Sequence, residues 1–259
     1  DLEFNTVLET IAGRCNTDIG EAKAMAITPF KNKEELLINL KQTSEYLSSF
    51  SNNNAIPNHG FENINYELKF LAIEDSFLEV GSFKKISNLS ETAITLIQFL
   101  KKFEDYYPNL FQKTSQIDIV KLILQRIDEV VDKFGIIKDN ASPDLIDIRR
   151  NINVVRGKIN QSFGMALSQY NSLGYLDDIK ETVVENRRVL AVLAMYRRKV
   201  KGSILGNSKT GSIAYIEPEA AQRYSRELNN LEYEEREEIM RILKRLTNEI
   251  RPFTDTIAA

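Results

Sequence analysis

Two stretches of the chain repeat an apolar residue every third or fourth position for longer than an ordinary helix lasts. Leu145, Ile148, Ile152, Val155, Ile159, Phe163, Leu167 and Tyr170 make up the first. This spacing predicts one helix of about 30 residues, roughly 45 Å long at 1.5 Å per residue. Ser142 and Pro143 supply its start. Gly157 and Gly164 inside it cost about 1 kcal/mol each relative to Ala, which packing has to offset. The second stretch runs through Ala221, Tyr224, Leu228, Leu231, Ile239, Ile242, Leu246 and Ile250, with Glu235 the one seam position left polar. Pro218, flanked by Glu217 and Glu219, suits its start, and Pro252 stops it. Counting Glu235, its intervals include a 3-4-4 run, closer to an eleven-residue than a seven-residue repeat. Neither helix can bury its stripe alone, so each is the other's natural partner.

Shorter helical patterns fill the first half. Leu2, Phe4, Val7, Leu8 and Ile11 predict a helix closed by Gly13, and Asp18 with Glu21 predicts a capped helix through Met25. Lys33 to Phe50 is amphipathic through Leu36, Leu37, Leu40 and Leu47. Residues 51–60 form a polar loop by composition. Helices are expected near 61–73, 87–104 and 117–131, with Pro108 breaking the pattern. The expectation is a helical block, polar outside and apolar inside.

Between the two long helices the period changes. Val189 to Tyr196 is uninterruptedly apolar, which fits a strand buried on both faces, with a helix left open by periodicity alone. Gly206 to Gly211 is turn chemistry between Ser203–Leu205 and Ser212–Ile216, which predicts a small antiparallel sheet. The fold class is therefore mainly α: a helical core domain over 1–141, then 142–259 holding a long antiparallel two-helix arm (about 142–175 and 217–251). A small antiparallel β segment (about 176–216) sits at its tip.

Charge sharpens the picture at that segment. Asn186 to Ile216 carries seven basic residues (Arg187, Arg188, Arg197, Arg198, Lys199, Lys201 and Lys209) and no Asp or Glu, in a chain whose formal net charge is −3. A cationic patch in an acidic chain points to a polyanionic partner. Such residues neutralise phosphates and release counterions, which gives salt-dependent, sequence-indifferent binding. A solvated helical hairpin with a merely soluble tip is the plainer reading of the same charges.

Other chemistry finds no support. One Cys, Cys15, forbids an internal disulfide and suits a reducing, cytoplasmic setting. No apolar run of about 18 residues predicts a membrane span. His59 is the only His, with no Cys or carboxylate at ligand spacing, so it reads as a surface side chain rather than a zinc ligand. Cys15 has no His partner for nucleophilic work. Glu232, Glu234, Glu235, Glu237 and Glu238 read as a solvated helix face balanced by Arg236 and Arg241, not as metal ligands. Tyr196 and Tyr215 could stack on bases, although packing is equally open for Tyr215. Ser208-Lys209-Thr210-Gly211 lacks the Gly before its Lys and precedes a strand, so it is no nucleotide loop. No catalytic residue, metal or cofactor is expected in this chain.

The order of elements, the turn Asp139-Asn140-Ala141-Ser142-Pro143-Asp144-Leu145, and the stretch Lys201-Gly202 … Ser208-Lys209-Thr210-Gly211-Ser212 … Tyr215-Ile216-Glu217-Pro218 resemble the MutS-II branch of the MutS family. The resemblance covers essentially the whole chain and is strongest over 139–150 and 187–231. Typical members have a His-Asp pair where this chain has Leu205-Gly206, and a Ser where it has Thr210. The resemblance implies a core, lever helices and a clamp. It further implies a homodimeric protein that grips branched or duplex DNA and counters recombination, with ATP and Mg bound in an ATPase domain outside this chain. In some members it also implies action on stalled ribosomes, and a nuclease module elsewhere. The chain opens on Asp1 rather than Met, which suits a segment of a longer protein. Binding of structured RNA through the same tip, or a scaffold whose arm docks a protein, are the two other classes open to the sequence.

Overall fold

A computed structural model describes residues 3–51, 54–117 and 121–258. The chain divides into two compact units, Asp1–Lys138 with Arg241–Ala259, and Asp139–Met240. The first unit holds helices α1 (Phe4–Ala12), α2 (Asp18–Met25), α3 (Lys33–Ser49), α4 (Asn65–Leu71), α5 (Val80–Lys102), α6 (Pro108–Thr114) and α7 (Lys121–Val130). Thr17, not Asp18, caps α2, its hydroxyl accepting from the Gly20 amide. Part of the helix expected over 117–131, and of the 51–60 loop, lies outside the described residues.

Leu71, Leu78, Phe83, Ile86, Tyr107 and Ile127 are fully buried in this unit. The expected polar exterior does not hold at its beginning. Leu36, Leu37, Leu40 and Leu47 on α3 are all exposed, as are Phe4, Val7 and Ile11 on α1. Hydrophobic periodicity fixes which face is apolar, not whether this chain covers it.

The second unit is built on α8 (Pro143–Ser172), β1 (Leu176–Val184), β2 (Arg187–Leu193), β3 (Gly202–Asn207), β4 (Ile213–Pro218) and most of α9 (Glu219–Ile250). After α9 come a 3-10 turn over Arg251–Phe253 and α10 (Thr254–Ala258). The Ser142 hydroxyl caps α8, accepting from the Leu145 amide at 3.1 Å and donating to Glu238 on α9 at 2.5 Å. Every predicted stripe residue of both long helices is buried or half-buried, so the period is the right guide to the face.

The helices are also cross-linked. Arg149 Nε donates to Glu235 Oε1 at 2.7 Å, and Arg156 Nη2 lies 3.1 Å from Glu232 Oε1. Glu232, Glu235 and Glu238, one helical turn apart, all meet residues of the α8 side. The acidic run is therefore not simply a solvated face, and the polar seam position Glu235 is answered by Arg149. Burial works against the Arg149 charge, but hydrogen bonds to Glu235 and Asp139 outweigh it and hold its pKa above the usual value.

Gly174 ends α8 with φ +70, and the Tyr175 and Gly174 amides donate back to the Tyr170 and Asn171 carbonyls. This six-to-one closure returns Tyr175 to Tyr170, whose rings stack with centroids 6.3 Å apart. It also delivers the chain into β1. β1 and β2 form a hairpin whose turn residues Glu185 and Asn186 both have positive φ, the twist a two-residue hairpin needs. The four-stranded antiparallel sheet has the order β1-β2-β4-β3.

Candidate nucleic-acid interface

The cationic segment is shaped by this strand order. β2 and β3 both run antiparallel to β4, so the chain must return between them. Leu193 pairs with Ile213 at one end of β4 and Gly202 with Pro218 at the other. Residues 194–201 therefore traverse roughly 17 Å of strand at about 3.4 Å per residue. The apolar run expected to stay a strand through Tyr196 instead leaves the sheet after Leu193, as a 3-10 turn over Ala194–Tyr196. Topology overrides the run, because a continuing strand would find no partner beyond the start of β4.

Val200 anchors this crossover. It is buried with Leu190, Val192, Ala214 and Ile216 from one face of the sheet, and with Phe163, Ala166 and Tyr170 from α8. Around that single apolar anchor, Arg197, Arg198, Lys199 and Lys201 are exposed. The Lys201 amide donates to the Tyr170 hydroxyl at 3.1 Å, and its carbonyl accepts from the Glu219 amide at 3.1 Å. Gly202 has no room for a side chain, since a Cβ there would stand 2.1 Å from the Glu217 carbonyl oxygen.

Tyr196 is committed to packing. It stacks on Tyr175 at 4.5 Å, and Lys199 Nζ lies 5.6 and 5.7 Å from the two ring centroids. This Tyr-Tyr-Lys stack is not legible in the sequence, because Tyr175 reaches Tyr196 only through the α8 closure. Tyr215, half-buried within β4, pairs with Ala191.

Lys209 sits on the β3–β4 hairpin loop, exposed, among the hydroxyls of Ser208, Thr210 and Ser212, with Gly211 at φ +72. The Ala194 amide donates to the Ser212 carbonyl, which ties this loop to the first turn of the crossover. Ser208 to Gly211 thus belongs to a β-hairpin and does not open a helix.

The other two predicted cations differ. Arg187 Nη1 lies 3.1 Å from Oε2 of buried Glu217, which is therefore a sheet carboxylate and not part of a helix start. Arg188 Nη2 lies 2.6 Å from Glu181 Oε2, its Nη1 donates to Asn160 at 3.0 Å, and its guanidinium covers the Phe163 ring at 4.3 Å. Among the described residues, Arg197, Arg198, Lys199, Lys201 and Lys209 make no ion pair. The structure thus separates five open cations from two that clasp the sheet and α8. Glu181 and Glu217 lie just beyond the ends of the acid-free stretch, and their pairing with it appears only in three dimensions.

Among the described residues no His, Cys, Asp and Glu cluster could hold a metal, and no helix is long and apolar enough to cross a membrane. His59 is half-buried, with Nε2 3.4 Å from the Tyr46 hydroxyl. Cys15 Sγ lies 3.5 Å from the Ile11 carbonyl.

No family model matches the chain. Individual proteins do. It is 28% identical over 258 residues to Endonuclease MutS2 of Alkaliphilus oremlandii, a match covering 99% of this chain and 32% of that protein. It is 28% identical to the protein of the same name from Lacticaseibacillus casei over 260 residues, 100% of this chain and 33% of the relative. Endonuclease MutS2 of Aquifex aeolicus is 24% identical over 249 residues. The chain spans about a third of the length of the curated relatives it matches. Over nearly its whole length the chain is thus similar to about one third of Endonuclease MutS2.

Proposed function

We propose that this chain binds DNA without sequence preference, as the core, lever and clamp region of a MutS2-like protein. The cations of its crossover and hairpin hold the phosphate backbone. The observation that carries this reading is the set Arg197, Arg198, Lys199, Lys201 and Lys209, exposed and free of ion pairs on the crossover and the β3–β4 hairpin loop. Cations already paired with carboxylates offer a phosphate little, because the pair must first be broken. Open ones release counterions at once. Phosphate contacts carry no sequence information, and branched and continuous duplexes both present phosphates. The five do not form a catalytic constellation, and the chemistry implied by the relatives' printed name is assigned to parts of such proteins outside this chain. So are ATP and Mg, and a homodimer is the state proposed for the full-length protein.

Titrating the whole chain against a duplex DNA at several salt concentrations tests the reading. Affinity should fall steeply with salt and be indifferent to base sequence. Binding that is absent at low salt, or flat with salt, would refute it. Equal-length duplex RNA serves as competitor: preference for RNA would favour a ribosome or structured RNA as target, since A-form and B-form grooves differ in shape.

A further inference from the structure

Resting on that reading, we infer that the Tyr170 hydroxyl is a positioning group for the phosphate-contacting crossover. It holds the cations of 197–201 in place through the backbone of Lys201.

A flexible segment bearing four cations would bind phosphate weakly, because each side chain must be ordered on contact. This crossover is ordered beforehand: the Tyr196–Tyr175 stack and the Ala194–Ser212 bond hold its first turn, and two ties hold its far end. Val200 is buried in the core shared by the sheet and α8. One residue further, Lys201 is held at both of its backbone groups, by the Tyr170 hydroxyl near the end of α8 and by the Glu219 amide at the start of α9. The next residue, Gly202, admits no Cβ against the Glu217 carbonyl, because β3 meets the backbone of β4 directly there. A single peptide segment is thereby tied to both long helices, with the exposed cations beside it. Tyr170 itself is buried, so it acts through Lys201.

Tyr170→Phe removes the hydroxyl and keeps the ring in its core. Hydrogen exchange at the Lys201 amide should accelerate about tenfold, as expected for the loss of one hydrogen bond. The slope of log K for duplex DNA against log salt should fall by about one to two units, the equivalent of one or two phosphate contacts. A merely structural loss lowers the folded fraction and leaves that slope alone. Glu219→Pro removes the second tie at a helix position that tolerates proline. Read against Glu219→Gln, which makes the same charge change, it should lower the slope likewise. If the unsubstituted chain binds with a steep slope and both variants keep it, the inference is overturned while the DNA-binding reading stands. If the unsubstituted chain shows no salt-dependent binding, both fall together.

Discussion

Replacing Arg187 by Met takes the guanidinium away from Glu217 and leaves the carboxylate behind. Glu217 keeps only 2% of its surface, and Arg187 Nη1 stands 3.1 Å from its Oε2. Two unit charges at that separation attract by about 5 kcal/mol at an effective dielectric of 20, much of which is cancelled by desolvation of the carboxylate. Truncating one partner of a fully buried pair costs about 3–5 kcal/mol. The Arg187 side chain is 41% exposed, so screening by water lowers the expectation to about 2 kcal/mol. The second compact unit should carry that loss, so the assay is hydrogen exchange at the Ala191 and Tyr215 amides of the paired β2 and β4. Their protection should fall about thirtyfold, which is 2 kcal/mol at 1.4 kcal/mol per factor of ten. Adding Glu217→Gln should return roughly half of it, because an amide needs no countercharge. The salt slope of DNA binding should not move in either variant. A loss under threefold, no recovery in the double variant, or a flattened slope with unchanged protection would each refute the assignment of Arg187 to the sheet.

The remaining predictions concern the helices and the turn residues. A Cβ at Gly157 or Gly164 would meet nothing within 4 Å, so Gly157→Ala and Gly164→Ala should each stabilise α8 by up to about 1 kcal/mol, read as raised urea midpoints. Gly174→Ala should instead cost about 1–2 kcal/mol, because its φ of +70 strains any side chain. Ser142→Ala removes the cap of α8 and a hydrogen bond to Glu238, and should cost about 1–2 kcal/mol in the same denaturation assay. Lys209→Ala should lower the salt slope by about 0.9 without changing stability, since its side chain is exposed on the hairpin loop.

The long helices are the most legible part of the fold. Their stripes repeat for eight positions each, and Ser142-Pro143 marks a start by cap chemistry that acts locally. β1 is not legible as a strand. Leu176 to Val184 carries Asp177, Asp178, Lys180 and Glu181, so its pattern does not alternate cleanly, and the pairing with β2 is irregular between Leu176 and Glu181. Its turn, Glu185-Asn186, uses a Glu at positive φ, where Gly, Asn or Asp is the usual signal. The cationic segment is legible as composition but not as geometry. Whether an Arg faces solvent or a carboxylate depends on Glu181 and Glu217, which strand pairing brings to Arg188 and Arg187. The exposed apolar faces of α1 and α3 mark the same limit, because a period identifies a face and leaves its partner unspecified.

The central claim is that phosphate contacts come from the crossover and the β3–β4 hairpin loop, and not from Arg187 and Arg188. Its most direct test is the salt slope of duplex binding for the chain with Arg197, Arg198, Lys199 and Lys201 all changed to Ala, set beside the chain with Arg187 and Arg188 changed to Met. At roughly 0.9 per contact, the first should lose about three to four units of slope and the second essentially none. An unchanged slope in the first, or an equal loss in both, would contradict the account.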